Sequence, residues 1–221
     1  MQPITLYSHE IGPNPWKVAI IFEALGLEYK TIFVSFEDVK LPPYTDINPN
    51  GRLPAIVDPN HNITLWESGA IVEYLIDTYD VSHKLSYDTK PEKYLTPQWL
   101  HFQMSGQGPY YGQLSWFKRQ PTPEPVAITR YVNEIKRVTG VLEKALEGRD
   151  WLVGDKCTYA DLCFVPWQDL LPQFFGEQVG DIEKDFPVVA AWLGRMRGRE
   201  DVRKVLGEKA EAMKKLAMAG K

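Results

Sequence analysis

The chain has 221 residues, 44% hydrophobic and 24% charged, with a formal net charge of −4. That length suits one large domain or two small ones with a sizeable core, and the weakly acidic balance, without any run of Lys or Arg, argues against nucleic acid or an anionic membrane as partner. No apolar stretch nears the ~20 residues of a membrane span, and residues 1–7 lack the basic-then-apolar pattern of a signal peptide, so a cytoplasmic location is expected.

Residues 4–7 read as a short strand. A loop follows to Pro13, and Asn14-Pro15 then opens a helix, with Asn as N-cap and Pro at the first helical position. Val18, Ile21, Phe22 and Leu25 recur at helical spacing, and Gly26 closes the helix. Residues 29–34 are β-branched and aromatic, a second strand. Residues 37–50 read as a loop interrupted by Pro42-Pro43, with room for one helical turn around Tyr44. Residues 55–57 and 64–66 are short strands, and Ala70, Ile71, Tyr74 and Leu75 mark a helix ending near Tyr79. The order β-α-β, connection, β-β-α is that of a thioredoxin-like domain, the first unit giving a parallel pair. Thioredoxins carry a Cys-x-x-Cys at the start of the first helix. Here that place holds Ile11-Gly12-Pro13-Asn14, so any thiol chemistry needs an imported thiol.

Residues 81–93 are polar and Pro-interrupted, a linker between a domain over residues 1–80 and an all-helical domain over residues 94–221. Trp99, Phe102 and Gln103 begin a helix that Ser105-Gly106-Gln107-Gly108-Pro109 should bend. Ile128, Tyr131, Val132, Ile135, Val138, Leu142 and Ala145 form a long apolar stripe. Thr158 with Asp161 three residues on is an N-capping box with Asp in the usual Glu place, and Cys157 and Leu162 occupy the staple positions. The six-residue spacing of Cys157 and Cys163 puts them on different helix faces, which predicts small buried hydrophobes rather than a disulfide or metal pair. Phe186-Pro187 starts another helix, and the residues from about Glu200 read as a charged helix or tail.

The stretch with chemical promise is Asn48-Pro49-Asn50-Gly51-Arg52-Leu53-Pro54, running into the strand at Ala55. Pro54 at the mouth of a buried strand is a candidate cis bond that would turn the Leu53 backbone outward to pair with an extended peptide. Glu67 and Ser68 open the next helix, where unpaired N–H groups and the helix dipole favour an anion. A docking edge beside a carboxylate-binding helix start is a site for a small peptide.

Residues 48–58, 66–71 and 151–162 together resemble the cytosolic glutathione transferases, in the family's order and spacing and across nearly the whole chain. Residues 12–18, 98–103 and 106–109 are similar to one branch, the fungal transferases like the yeast nitrogen-catabolite regulator that forms a prion, together with the bacterial nu class. The regulator's long N-terminal region has no counterpart here. His9, His61, His83 and His101 show no metal-ligand grouping, so no metal is expected. The resemblance implies glutathione as co-substrate, electrophilic small molecules as acceptors, a detoxification role and a homodimer. It further implies that Glu67 takes the α-amino group of the tripeptide, Ser68 its α-carboxylate and the Leu53–Pro54 backbone its cysteinyl part. Lys40, Arg52 and Arg130 are the candidate cations for its glycyl end and the site around it.

A free thiol has a pKa of about 8.5, and lowering it by about two units takes roughly 2.7 kcal/mol of preferential thiolate stabilisation. A helix N-terminus with one good donor can supply that. Asn14 at the helix start is the leading candidate, with Ser8 and Tyr7 behind it. Nu-class members carry a threonine two residues before the asparagine, where this chain has Gly12, which counts against a nu-type disulfide reductase. Tyr110, Tyr111, Trp116 and Phe117 are candidates to line the acceptor cleft or to be interhelical core. The expected function is glutathione conjugation, with peroxide or disulfide reduction by the same thiolate as a side activity. The alternative is a glutathione-binding regulatory or carrier protein with negligible turnover.

Overall fold

A computed structural model of the chain describes residues 1–171 and 179–219. They form two compact units, Met1–Leu85 with Gly198–Lys221, and Ser86–Arg197. In the first, β1 (Ile4–Ser8), α1 (Pro13–Leu25) and β2 (Tyr29–Phe33) make a βαβ unit with parallel strands. A short helix, α2 (Tyr44–Ile47), precedes the antiparallel hairpin of β3 (Ala55–Asp58) and β4 (Ile63–Trp66), and α3 (Ser68–Tyr79) follows it. The sheet order is β2-β1-β3-β4, with β1 and β3 antiparallel. This is the thioredoxin-like arrangement that the element order predicts.

The start of α1 differs from expectation. Its N-cap is Gly12 and its first residue Pro13, so Asn14 lies inside the first turn. Pro13 and Pro15 both suit a first helical position, and the chain uses the earlier one. The far end is as expected: Gly26 adopts φ 69°, and its N–H donates to the Glu23 carbonyl. Burial on α1 runs all round the helix, with Ile20, Ile21 and Phe22 each fully enclosed, rather than along a single stripe. One cause is the last helix, whose Val202 and Val205 are fully buried and whose Lys204 pairs with Glu23 of α1 at 2.8 Å. That helix, Glu200–Ala219, belongs to the first unit, whereas the expected boundaries put it with the helical domain. Its packing partner is α1, with Glu23 lying 181 positions before Lys204, which no local pattern announces.

The second unit contains α4 (Glu92–Phe102), a π-helical turn (Gln103–Gln107), α5 (Gly108–Lys118), α6 (Pro125–Leu146) and α7 (Tyr159–Gln168), then α8 (Ile182–Asp185) and α9 (Pro187–Arg197). The bend expected at residues 105–109 is that π turn. It is held by two buried amides: Gln103 Nε2 donates to Gln107 Oε1 at 3.0 Å, and Gln107 Nε2 donates to the Phe164 carbonyl at 3.2 Å. Ile135, Val138, Leu142 and Leu146 of α6 are fully buried, as the stripe predicts. The Thr158/Asp161 box caps α7, and Cys157 and Cys163 are buried free thiols. Helix α9 is capped from elsewhere: the Glu143 carboxylate on α6 accepts from the N–H groups of Val188 at 3.0 Å and Val189 at 2.8 Å.

Candidate functional site

The sheet register brings three chain segments to one end of the first unit. Tyr7 near the end of β1 stands opposite Ala55, the first residue of β3, and Ala55 stands opposite Trp66, the last of β4. The loop into α1, the 48–54 turn and the start of α3 therefore meet at that end of the sheet.

The first turn of α1 has an unusual donor set. Pro13 and Pro15 lack N–H groups, so among the first three helical positions only Asn14 carries a backbone donor. Its side-chain amide sits on the same turn, half-buried. The two rival donors are differently placed. Tyr7 is half-buried in a cluster with Val39, Tyr44 and Ala55 and packs edge-on against Tyr44, centroids 5.7 Å apart. Ser8 is 1% exposed, and its hydroxyl makes a long 3.5 Å contact to the His9 carbonyl.

The 48–54 turn is knit from within. Asn48, buried, donates through Nδ2 to the Arg52 carbonyl at 2.6 Å and accepts from the Asn50 N–H at 2.9 Å. The Tyr44 hydroxyl donates to that same Arg52 carbonyl at 2.6 Å, and burial pushes its pKa up to about 12, keeping it a donor. Lys40 Nζ donates to the Gly51 carbonyl at 2.6 Å, which brings the ammonium to the turn itself. Gly51 has φ 58°, and a Cβ there would lie 2.7 Å from the Val39 carbonyl oxygen, so glycine is required on both counts. Arg52 is exposed and makes no ion pair among the described residues. The Leu53–Pro54 bond is cis, as expected, with Leu53 half-buried and Pro54 buried just before β3. Nothing in the sequence pattern marks Asn48 and Tyr44 as organisers of this turn. The Asn-Pro-Asn-Gly run marks a turn but says nothing of the side chains that brace it.

At the start of α3, Glu67 is the N-cap with φ 70° and ψ 113°, a sparsely populated region for a residue with a side chain. Such a conformation costs on the order of 1–3 kcal/mol and is characteristic of ligand clamps. Its carboxylate does not cap its own helix. It accepts instead from Asn50 Nδ2 at 3.4 Å, tying the helix start to the turn. Ser68, next along, is buried. An exposed carboxylate, an enclosed hydroxyl and a helix start thus lie side by side, groups whose chemistry is complementary to an ammonium and to an anion respectively.

Other expected residues lie in the helical unit. Trp116, Phe117 and Arg130 line one concavity of about 750 Å³, with Pro121, Val126 and Ala127. Trp116 is half-exposed, and Phe117 stacks on Tyr131 with centroids 5.6 Å apart. Tyr110 packs near Tyr131 at 6.3 Å, with the Arg137 guanidinium 6.0 Å from its ring centre. Tyr111 stands apart as core: fully buried, hydroxyl 3.4 Å from Thr139 Oγ1, ring edge-on to Trp167. Of its two sequence readings, cleft lining and interhelical core, burial favours the second.

Residues 2–77 match the glutathione S-transferase N-terminal domain family and residues 116–200 the C-terminal domain family. The chain belongs to the glutathione S-transferases. A glutathione S-transferase-like protein of Aspergillus fumigatus is 50% identical over 218 residues, covering 94% of this chain and 96% of the relative. The crystal structure of the glutathione transferase URE2P6 of Phanerochaete chrysosporium with oxidized glutathione superposes with a TM-score of 0.90 at 46% identity, covering 96% of this chain and 98% of that one. Ure2p5 of the same fungus, cocrystallized with 1-(S-glutathionyl)-2,4-dinitrobenzene, gives a TM-score of 0.88 at 41% identity, covering 96% and 97%. The resemblance to the fungal Ure2-like branch, read from short motifs, therefore holds across the chain.

Proposed function

We propose that this chain is a glutathione transferase that conjugates glutathione to electrophilic small molecules. The observation that carries the proposal is the meeting, at one end of the sheet, of a helix start with Asn14, a Lys40-braced turn and the strained Glu67–Ser68 helix start. Those three parts fit three parts of one tripeptide. Glu67 takes the γ-glutamyl ammonium and Ser68, with the α3 N–H groups, its carboxylate. The Leu53 backbone before Pro54 pairs with the cysteinyl moiety, and Lys40 answers the glycyl carboxylate, with Arg52 on the same turn. Asn14 donates to the sulfur, and the α1 dipole favours its thiolate. The thiolate attacks the electrophilic carbon, a C–S bond forms, and the leaving group departs with its electron pair. The protonated thiol is a far weaker nucleophile, so the depressed pKa is the rate advantage.

Two rivals for the donor role are less well fitted. Ser8 is enclosed and directed at a neighbouring carbonyl, and Tyr7 is committed to packing on Tyr44. In the helical unit, the concavity with Trp116, Phe117 and Arg130 is the surface suited to a planar acceptor. The same thiolate can reduce peroxides or disulfides as a lesser activity. A cytoplasmic homodimer acting in detoxification completes the proposal. Among the described residues no helix is long and apolar enough to cross a membrane, and no group of His, Cys, Asp or Glu could hold a metal.

The test is the ultraviolet thiolate band of bound glutathione, titrated against pH in the wild type and in Asn14→Ala. An apparent thiol pKa below about 7.5, returning toward the free value of about 8.5 in the variant, is the expected result. A low pKa unchanged in the variant removes Asn14 and leaves a transferase with another donor. Tight binding with an unshifted pKa replaces the transferase with a glutathione carrier.

A further inference from the structure

Between Ser8 and the α1 helix lies a histidine that the roles above do not use. His9 is 5% exposed. Its ring lies flat on Phe36, centroids 3.7 Å apart and planes 12° from parallel. Its Nδ1 accepts from the Ile11 N–H at 3.1 Å. Its carbonyl accepts from Trp16 Nε1 at 3.1 Å, and the same indole N–H reaches the Glu10 carbonyl at 3.0 Å.

A ring nitrogen that accepts an N–H carries no proton, so the imidazole is neutral with its hydrogen on Nε2. Burial favours that state by lowering the His9 pKa, against the Glu10 carboxylate, whose Oε2 is 3.5 Å from Nδ1 and which raises it. A side-chain acceptor closing on the N–H two residues ahead is the geometry of an Asx turn, made here with an imidazole. It fixes residues 9–11 directly before Gly12, the N-cap of α1, and so fixes where the first turn with Asn14 begins. Phe36, stacked on the face of the ring, lies four residues before Lys40, in a stretch closed by the Ser35 hydroxyl donating to Asp38 at 2.8 Å. One ring thus braces two segments, one leading to the sulfur donor and the other to the Lys40 ammonium.

We infer that His9 is a positioning residue for glutathione transfer, its Nδ1 acceptor setting Asn14 and its stack on Phe36 setting Lys40. The inference rests on the roles proposed above for Asn14 and Lys40. The two functions of the ring can be separated by substitution. His9→Asn keeps a side-chain acceptor for the Ile11 N–H through an ordinary Asx turn and removes the stack. His9→Phe keeps an aromatic face for Phe36 and removes the acceptor. Phe36→Leu removes the stack at a 60% exposed position, where folding is least at risk.

Each variant is read by the thiol pKa of bound glutathione and by kcat and the KM for glutathione, with 1-chloro-2,4-dinitrobenzene as acceptor. His9→Phe should raise the bound thiol pKa by up to about one unit, with kcat at neutral pH falling by up to about tenfold and KM little changed. His9→Asn and Phe36→Leu should keep the low thiol pKa and raise KM severalfold. A wild-type thiol pKa in His9→Phe overturns the acceptor role. An unchanged KM in Phe36→Leu overturns the stacking role. Equal losses of kcat and affinity in His9→Phe and His9→Asn would mark the ring as general packing and overturn the inference. An un-ionised thiol in the wild type instead refutes the transferase reading, before any variant is compared.

Discussion

Asp161 should be among the most costly side chains in the helical unit to remove. It is fully buried at the third position of α7, and its carboxylate accepts four hydrogen bonds. Oδ1 takes the Leu152 N–H at 2.9 Å and Trp192 Nε1 at 3.0 Å, while Oδ2 takes the Thr158 N–H at 2.9 Å and the Thr158 hydroxyl at 3.0 Å. In Asp161→Ala the hydroxyl can rotate to another acceptor, but the two backbone N–H groups and the indole cannot. A buried donor left unmade costs about 1–3 kcal/mol, so the three fixed donors together lose roughly 3–9 kcal/mol. Against that, burial disfavours the ionised carboxyl and raises its pKa, so removing it returns part of the desolvation cost. The net expectation is a loss of about 3–5 kcal/mol, at the top of what single substitutions do. Asp161→Asn keeps one carbonyl oxygen for the Leu152 and Trp192 donors but points an NH₂ at the Thr158 N–H, and should lose about half as much. Urea unfolding followed by Trp fluorescence, with far-ultraviolet dichroism as a second probe, measures both. A loss below about 1 kcal/mol for Ala, or equal losses for Ala and Asn, would refute the donor accounting.

Two further outcomes follow from the first unit. Gly51→Ala forces a Cβ against the Val39 carbonyl at a residue with φ 58°, so the turn carrying Arg52 and Leu53 must shift; calorimetry should show glutathione affinity falling about tenfold or more, and unchanged affinity would detach that turn from the site. Asp58 is fully buried; burial pushes its carboxyl up, but hydrogen bonds from the Tyr79 and Tyr74 hydroxyls and from Asn60 outweigh it and hold the pKa below the usual value of 3.8. The folded state therefore binds fewer protons than the unfolded one in that range, so the stability Asp58 contributes is present above about pH 4 and is lost as pH falls through the lower folded value. Urea midpoints between pH 2 and 6 should drop more steeply on acidification for the wild type than for Asp58→Asn, and parallel curves would refute the linkage.

What the sequence made legible follows from the range of the interactions involved. Thr158 and Asp161 are three residues apart, Gly26 immediately follows its helix, and Pro54 immediately precedes its strand; each is a local rule written in neighbouring letters. At the start of α1 the local rules tie: two prolines, at 13 and 15, each satisfy the same preference, so neighbouring letters alone do not fix the boundary. The observed boundary matters chemically, since it makes Asn14 a first-turn residue flanked by two prolines rather than a cap. The rest depended on long-range partners. Glu143 caps a helix that starts more than forty residues later, and Lys204 docks the last helix on the first. Neither partner leaves a periodic signature, because a single side-chain contact across the fold has no spacing to detect. The site divides the same way. Glu67, Ser68 and the cis proline sit in recognisable turn and cap grammar, while Asn48, Tyr44 and His9 act only through what the fold sets beside them. Of the groups proposed to touch the tripeptide, Glu67, Ser68 and the Leu53–Pro54 bond are thus legible in neighbouring letters, whereas the residues that aim them act only through partners such as the Phe36 ring and the Ile11 N–H that His9 meets in the fold.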